Sequence, residues 1–129
     1  MAGIWRLFLA RPEAVPAARM ALREFEYDDE SVQPVVELLT SELVTNAIRH
    51  GASDPHESIL LRACSVDSTV RVEVCDEGLT HFDADPSGTG LLEPGGNGLL
   101  LVDAVASRWG VEHGRPKCVW FEAAPATAA

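Results

Sequence analysis

Three groups of residues in this chain stand where local rules disfavour them, and each could do chemistry. The first is Glu42 with Asn46. They lie one helical turn apart, within or beside an apolar stripe formed by Val35, Leu39 and Leu43. A carboxylate and an amide facing a core cost several kcal/mol unless paired or hydrated. Either the pair reaches solvent near a helix end, or the core opens at this point into a pocket that needs both groups. The second is Asp76, which follows Val70, Val72 and Val74 with the same parity, so its carboxylate points the way the valines do. Gly78, two residues on, would let a backbone approach a ligand closely. The alternative is that the strand has ended and Asp76 opens a turn.

The third group is a run of glycines, Gly88-Thr89-Gly90 and then Gly95-Gly96-Asn97-Gly98, leading straight into an apolar segment of helical period. A glycine-rich entry to a helix offers unpaired N–H groups and the positive end of a dipole, which suit phosphate. A flexible surface loop has the same composition. No Gly-Lys-Ser/Thr follows, which excludes a Walker loop, and no strand immediately precedes, which excludes a dinucleotide-binding turn.

The elements that must position these residues follow from periodicity. Ile4 to Ala10 reads as a strand, and Arg11 to Glu26 as a helix with Pro12 or Pro16 in its first turns. Tyr27 to Glu30 is an acidic turn. Ser31 to His50 is the clearest helix, with Ser31 as N-cap, Pro34 in the first turn and Gly51 as C-cap. After a loop over 52–57 come two strands, Ser58 to Val66 and Val70 to Asp76, with Asp67-Ser68 as the hairpin turn. Residues 77–97 form a loop of about twenty residues, a length usually reserved for function or disorder. A last helix runs from Gly98 to Trp109, with Val102, Val105, Ala106 and Trp109 on one side. Strands at Val111 to His113 and Lys117 to Ala123 close the domain.

Length and composition bound the function. With 129 residues and 47% apolar content, the chain supports one domain with one core. We expect that domain over residues 1–123 and a frayed tail over 124–129. No apolar run approaches the length of a membrane span, and Ile4 to Ala10 is too short and too interrupted for a secretory signal, so a cytoplasmic protein with no membrane partner is expected. Cys64, Cys75 and Cys118 are single and odd in number, which predicts ordinary thiols rather than a disulfide framework or zinc site. The net charge of −10 disfavours nucleic acid as a partner. An acidic chain can still hold a polyanion such as ATP, given a divalent metal and backbone N–H groups, and its acidic face suits a basic protein.

Taken in order, these motifs resemble the GHKL ATP-binding family of gyrase, MutL and histidine kinases, and within it the small serine kinases that regulate sigma factors. Ser41-Glu42-Leu43-Val44-Thr45-Asn46-Ala47-Ile48-Arg49-His50-Gly51 is similar to the N box of that branch. Val72-Glu73-Val74-Cys75-Asp76-Glu77-Gly78 resembles the G1 box, and Gly96-Asn97-Gly98-Leu99-Leu100-Leu101-Val102 the G2 box. Arg108-Trp109-Gly110-Val111 and Lys117 to Trp120 resemble the closing segment.

The resemblance implies an α+β fold: a two-layer α/β sandwich with a mixed, mostly antiparallel sheet and helices on one face. It implies ATP and Mg²⁺ as cofactors. Asn46 would be the metal ligand, Asp76 the acceptor for the adenine amino group, and Gly78 the point where the backbone passes the base. Gly96, Gly98 and Leu99 would close on the phosphates, and Glu42 would be the general base. It further implies a sigma factor and an anti-sigma-antagonist-like protein as partners, and a homodimer.

Thr80 stands where the G1 box often has a second glycine, and Asn97 where the G2 box often has Arg or Leu. Asp83, Asp85 and Glu93 make the lid acidic. Gyrase and MutL use a following domain, and a histidine kinase needs an upstream phosphoacceptor helix pair. Neither fits a chain of this length, and His50 reads as a helix-end residue. His81, Asp83 and Asp85 have spacing too uninformative for a metal site. The expectation is therefore an ATP- and Mg²⁺-dependent protein serine/threonine kinase of anti-sigma type. The alternative is a non-catalytic nucleotide-binding partner-switch module, and a free-standing ATPase is weaker.

Overall fold

The computed structural model describes residues 2–51, 54–76, 97–114 and 116–126. Its strands are β1 (Ala2–Leu9), β2 (Ser58–Val66), β3 (Thr69–Asp76), β4 (Arg108–Glu112) and β5 (Lys117–Ala123). Its α-helices are α1 (Ala14–Arg23), α2 (Gln33–Asn46) and α3 (Asn97–Val105). The strands form one sheet in the order β1-β2-β3-β5-β4, and every pairing between them is antiparallel. The α+β sandwich is as expected.

Alternation decides which side of the sheet is covered. Val70, Val72 and Val74 of β3 are buried, in register with Ala63 and Leu61 of β2 and with Phe121 and Ala123 of β5. Against them pack Leu22 of α1, Val36, Leu39, Leu43 and Val44 of α2, and Val102 of α3. Each such side chain contributes about 1.5–3 kcal/mol by leaving water. The other sheet face carries ions instead. Arg62 meets Glu73 at 2.7 Å, Arg71 meets Glu73 at 3.1 Å and Glu122 at 3.4 Å, and Arg71 lies 4.0 Å over the Trp120 ring. A Cβ on Gly110 would sit 2.9 Å from that ring, so only glycine lets β4 pass beside it.

The β2–β3 hairpin turns at Asp67 and Ser68, both at positive φ (52° and 70°), the left-handed pair that matches strand twist. Other boundaries differ from the sequence reading. Ser31 is not the N-cap of the long helix. Asp29 takes that part for a preceding 3₁₀ turn, Glu30–Val32, accepting a bond from the Ser31 N–H at 2.9 Å. Hydrogen bonding from the Ser31 side chain first, and from its backbone N–H second, holds the Asp29 carboxyl below its usual range. The helix also passes Asn46 without a glycine cap and continues as a π-helical turn, Ala47–Gly51.

Trp109 does not belong to the last helix. The chain leaves α3 at Val105, Ser107 N–H donates to the Glu122 carbonyl, and the chain enters β4. Trp109 reaches back from the strand to donate to Asp103 at 2.8 Å.

The expectation of three free thiols is overturned. Cys75 and Cys118 form a disulfide between directly opposed residues of β3 and β5, and only Cys64 is free. Their 43-residue separation hid the pairing, because spacing along the chain carries no information on strand register.

Candidate functional site

The site is assembled where α2, β3 and α3 meet. Helix α2 packs across β3 and against α3, and the π-helical turn that extends it touches β3 as well. Single π-turns in otherwise regular helices are frequent at functional sites. The last turns of α2 carry Glu42 and Asn46, both half-buried beside the buried Leu39 and Leu43. The helix thus sets the two polar groups at the border of its apolar face. Asn46 Nδ2 is buried and has no hydrogen-bond partner among the described residues. An orphaned buried donor is disfavoured by about 1–3 kcal/mol unless something outside the protein accepts from it.

Asp76 closes β3. Its parity holds to the last residue: it shares the core face with Val70, Val72 and Val74 and is 6% exposed. On one side it faces Ile59 of β2, on the other Lys117 of β5. A carboxylate placed this deep at the end of a sheet is a hydrogen-bond acceptor for a group with donors. The adjoining rung is the Cys75–Cys118 disulfide, which ties β3 to β5 beside it.

Gly98 is the second residue of α3, and Leu99 follows with its side chain in the core at 3% exposure. Any contact from Leu99 to a phosphate therefore comes from its backbone N–H, one of the four that a helix start leaves unpaired. Gly78 and Gly96, with Thr80, His81, Asp83, Asp85 and Glu93, lie outside the described residues. Among the described residues there is no cluster of His, Cys, Asp or Glu able to hold a metal by itself. A cation here would need ligands from a bound molecule in addition to Asn46. No described helix is long and apolar enough to cross a membrane.

Two features of the site escaped the sequence reading. Lys117 was placed only within a closing strand, and its position opposite Asp76 depends on the β3–β5 register. The disulfide depends on the same register. The pairing of alternating β3 with a later strand of like period was the one available signal, and it did not fix the offset.

Residues 8–122 match the family described as the histidine kinase-like ATPase domain, and the chain belongs to that family. Among solved structures it is similar to the histidine kinase domain of the blue-light activated histidine kinase of Erythrobacter litoralis, with a TM-score of 0.54 and 24% identity. That likeness covers 71% of this chain and 44% of the other, so the chain spans less than half the length of that protein's domain. At this identity it shows a shared fold. No curated protein matches the chain. Family membership supports ATP binding.

Proposed function

We propose that this domain binds ATP with Mg²⁺ and acts as a protein serine/threonine kinase of the anti-sigma type. The observation that carries the reading is the buried Asn46 Nδ2, without a partner among the described residues, one turn from Glu42 on a helix that packs against the strand ended by Asp76. The donor set fits the ligands. The Asn46 oxygen is a hard ligand of the kind Mg²⁺ accepts, and its orphaned Nδ2 has a natural acceptor in a phosphate oxygen. Asp76 would receive the adenine amino group. Gly98 and Leu99 would offer N–H groups to the phosphates.

When bound, Mg²⁺ offsets negative charge on the phosphates. Glu42 would accept the proton of a serine hydroxyl as the serine oxygen bonds to the γ-phosphorus. The bond from that phosphorus to the bridging oxygen breaks, and ADP leaves. In this reading the phosphoacceptor is an anti-sigma-antagonist-like protein, the regulated partner is a sigma factor, and the domain works as a homodimer.

A second reading keeps nucleotide binding without catalysis. Thr80 and Asn97 in place of the usual glycine-box residues, and the acidic Asp83, Asp85 and Glu93 of the intervening sequence, favour it. Calorimetry of MgATP binding to the wild type and to Asp76→Asn tests the pocket shared by both readings. The lost charge-assisted bond should weaken binding by about ten- to a hundred-fold. No binding by the wild type at millimolar ATP would remove both. Transfer of ³²P to a partner serine, abolished in Glu42→Gln, separates the kinase from the silent module.

A further inference from the structure

We infer that the Cys75–Cys118 bond is a redox switch on the nucleotide site. Closed, it holds Asp76 where the base is received; opened by a dithiol reductant, it releases that hold. The inference rests on Asp76 receiving adenine, as proposed above, and adds the regulation of that site. Its first ground is the chemistry of the compartment. A domain that uses MgATP works where ATP is kept, inside the cell, and there thiols are held reduced. A disulfide in such a protein is usually transient, catalytic or redox-sensing rather than a permanent staple. The proposed phosphoryl transfer makes no use of the two sulfurs. By strand alternation they lie on the sheet face of Arg71 and Glu73, opposite Asp76. Sensing is the role that fits.

The second ground is where the bond sits. Asp76 is the last residue of β3, and its neighbours across the sheet are Ile59, near the start of β2, and Lys117, the first residue of β5. Its backbone is therefore held by the outermost rungs, and strand ends open at a far lower free energy than a core. The next rung in is Cys75–Cys118, and its bond is covalent. Asp76 is one peptide unit from that anchor, so fraying cannot carry it away. Cys75 and Cys118 are 2% and 5% exposed, and a reductant reaches them when the end rungs open. One thiolate of the reductant bonds to one Sγ, and the other Sγ leaves as a thiolate and takes a proton. The reductant's second thiol then displaces the first Sγ, so the reductant ends as a disulfide and the protein as two thiols. Exchange with a disulfide oxidant runs the same steps in reverse. The inner rungs, from Val70 with Ala123 to Val74 with Val119, keep the two cysteines opposed for that return. With the bond open, Asp76 spends part of its time out of position, and apparent affinity falls with the competent fraction. The coupling is reciprocal: nucleotide that binds the closed form more tightly favours the disulfide by the same factor.

The test is calorimetric titration of MgATP into the full chain when oxidised, when reduced with a phosphine, and when re-oxidised with glutathione disulfide. Kd should rise about five-fold or more on reduction and return on re-oxidation. Cys64→Ser should behave as the wild type does. Cys118→Ser, which cannot close the bond, should bind in every state as the reduced protein does. A second readout is the equilibrium of the protein with reduced and oxidised dithiothreitol, followed by thiol counting after acid quench. Saturating MgATP should raise the ratio of disulfide to dithiol protein by the same factor as the change in Kd. A fall in the number of binding sites at unchanged Kd would show that reduction only unfolds part of the sample, and would overturn the inference. Equal Kd values before and after reduction would overturn it too and leave the ATP site standing. No binding in any state would overturn the inference together with the ATP site.

Discussion

Reduction of the Cys75–Cys118 bond should destabilise the domain by about as much as a large-to-small truncation in its core. The two cysteines are 43 residues apart in sequence. Closing a loop of that length in the unfolded chain removes entropy worth about 4 kcal/mol at 25 °C. Opening it returns that freedom to the unfolded state while the β3–β5 ladder keeps its backbone bonds. For a chain of 129 residues, the unfolding entropy near 60 °C is about 0.27 kcal/mol/K. The loss then corresponds to a fall in Tm of about 15 °C. Protein purified without reductant should show one thiol per chain in denaturant, from Cys64, and three after treatment with a phosphine reductant. Differential scanning calorimetry before and after that treatment reads the Tm. Cys64→Ser should leave the difference unchanged. Three thiols before reduction, or a Tm that does not move, would refute the reasoning.

Two substitutions probe the helical layer and the site. The Tyr27 hydroxyl donates to the Leu22 carbonyl at 2.7 Å, and burial first, then the charge of Glu37, push its phenol above the ordinary value of 10.0. The stability tied to the neutral phenol is complete below pH 10 and is lost as pH rises above it toward the folded value. Tyr27→Phe should therefore cost about 1 kcal/mol at pH 7 in urea unfolding and flatten the decline above about pH 10, and an unaltered alkaline slope would count against this account. Asn46→Ala removes an amide whose Nδ2 is buried and unpartnered among the described residues. It should leave the unfolding free energy within about 1 kcal/mol of wild type, or raise it, while weakening MgATP binding more than tenfold. A stability loss beyond about 2 kcal/mol would mark Asn46 as structural instead.

Much of the molecule is legible in the sequence because its determinants are local. Alternation over Thr69–Asp76 is a period of two, and it correctly aims Asp76 toward the core. Asp67 and Ser68 are small polar residues that tolerate positive φ, and they make the hairpin where expected. Glu42 and Asn46 lie one turn apart on any α-helix, so their common edge of the apolar stripe needs no tertiary information. What failed locally failed for want of a competing partner. Trp109 fits the helical period of the preceding residues, but the bond from Ser107 to Glu122 draws the chain into the sheet first. Ser31 is a good cap residue, and Asp29, two positions earlier, takes the role.

The sequence by itself therefore determined most of the elements, the core face of β3 and the order of its candidate binding residues, since periods of two and 3.6 are properties of adjacent residues; the face of the last helix was misread, because Val105 is exposed and Trp109 belongs to β4. The tertiary structure alone decided the register of β3 on β5. That register pairs Cys75 with Cys118 and sets Lys117 against Asp76. A one-residue slip would reverse the faces of every side chain on one strand, and nothing local to either strand sets the offset. It is fixed by the whole core, by Val72 against Phe121 and Val70 against Ala123 under the helices. The bonds across that ladder join residues more than forty positions apart.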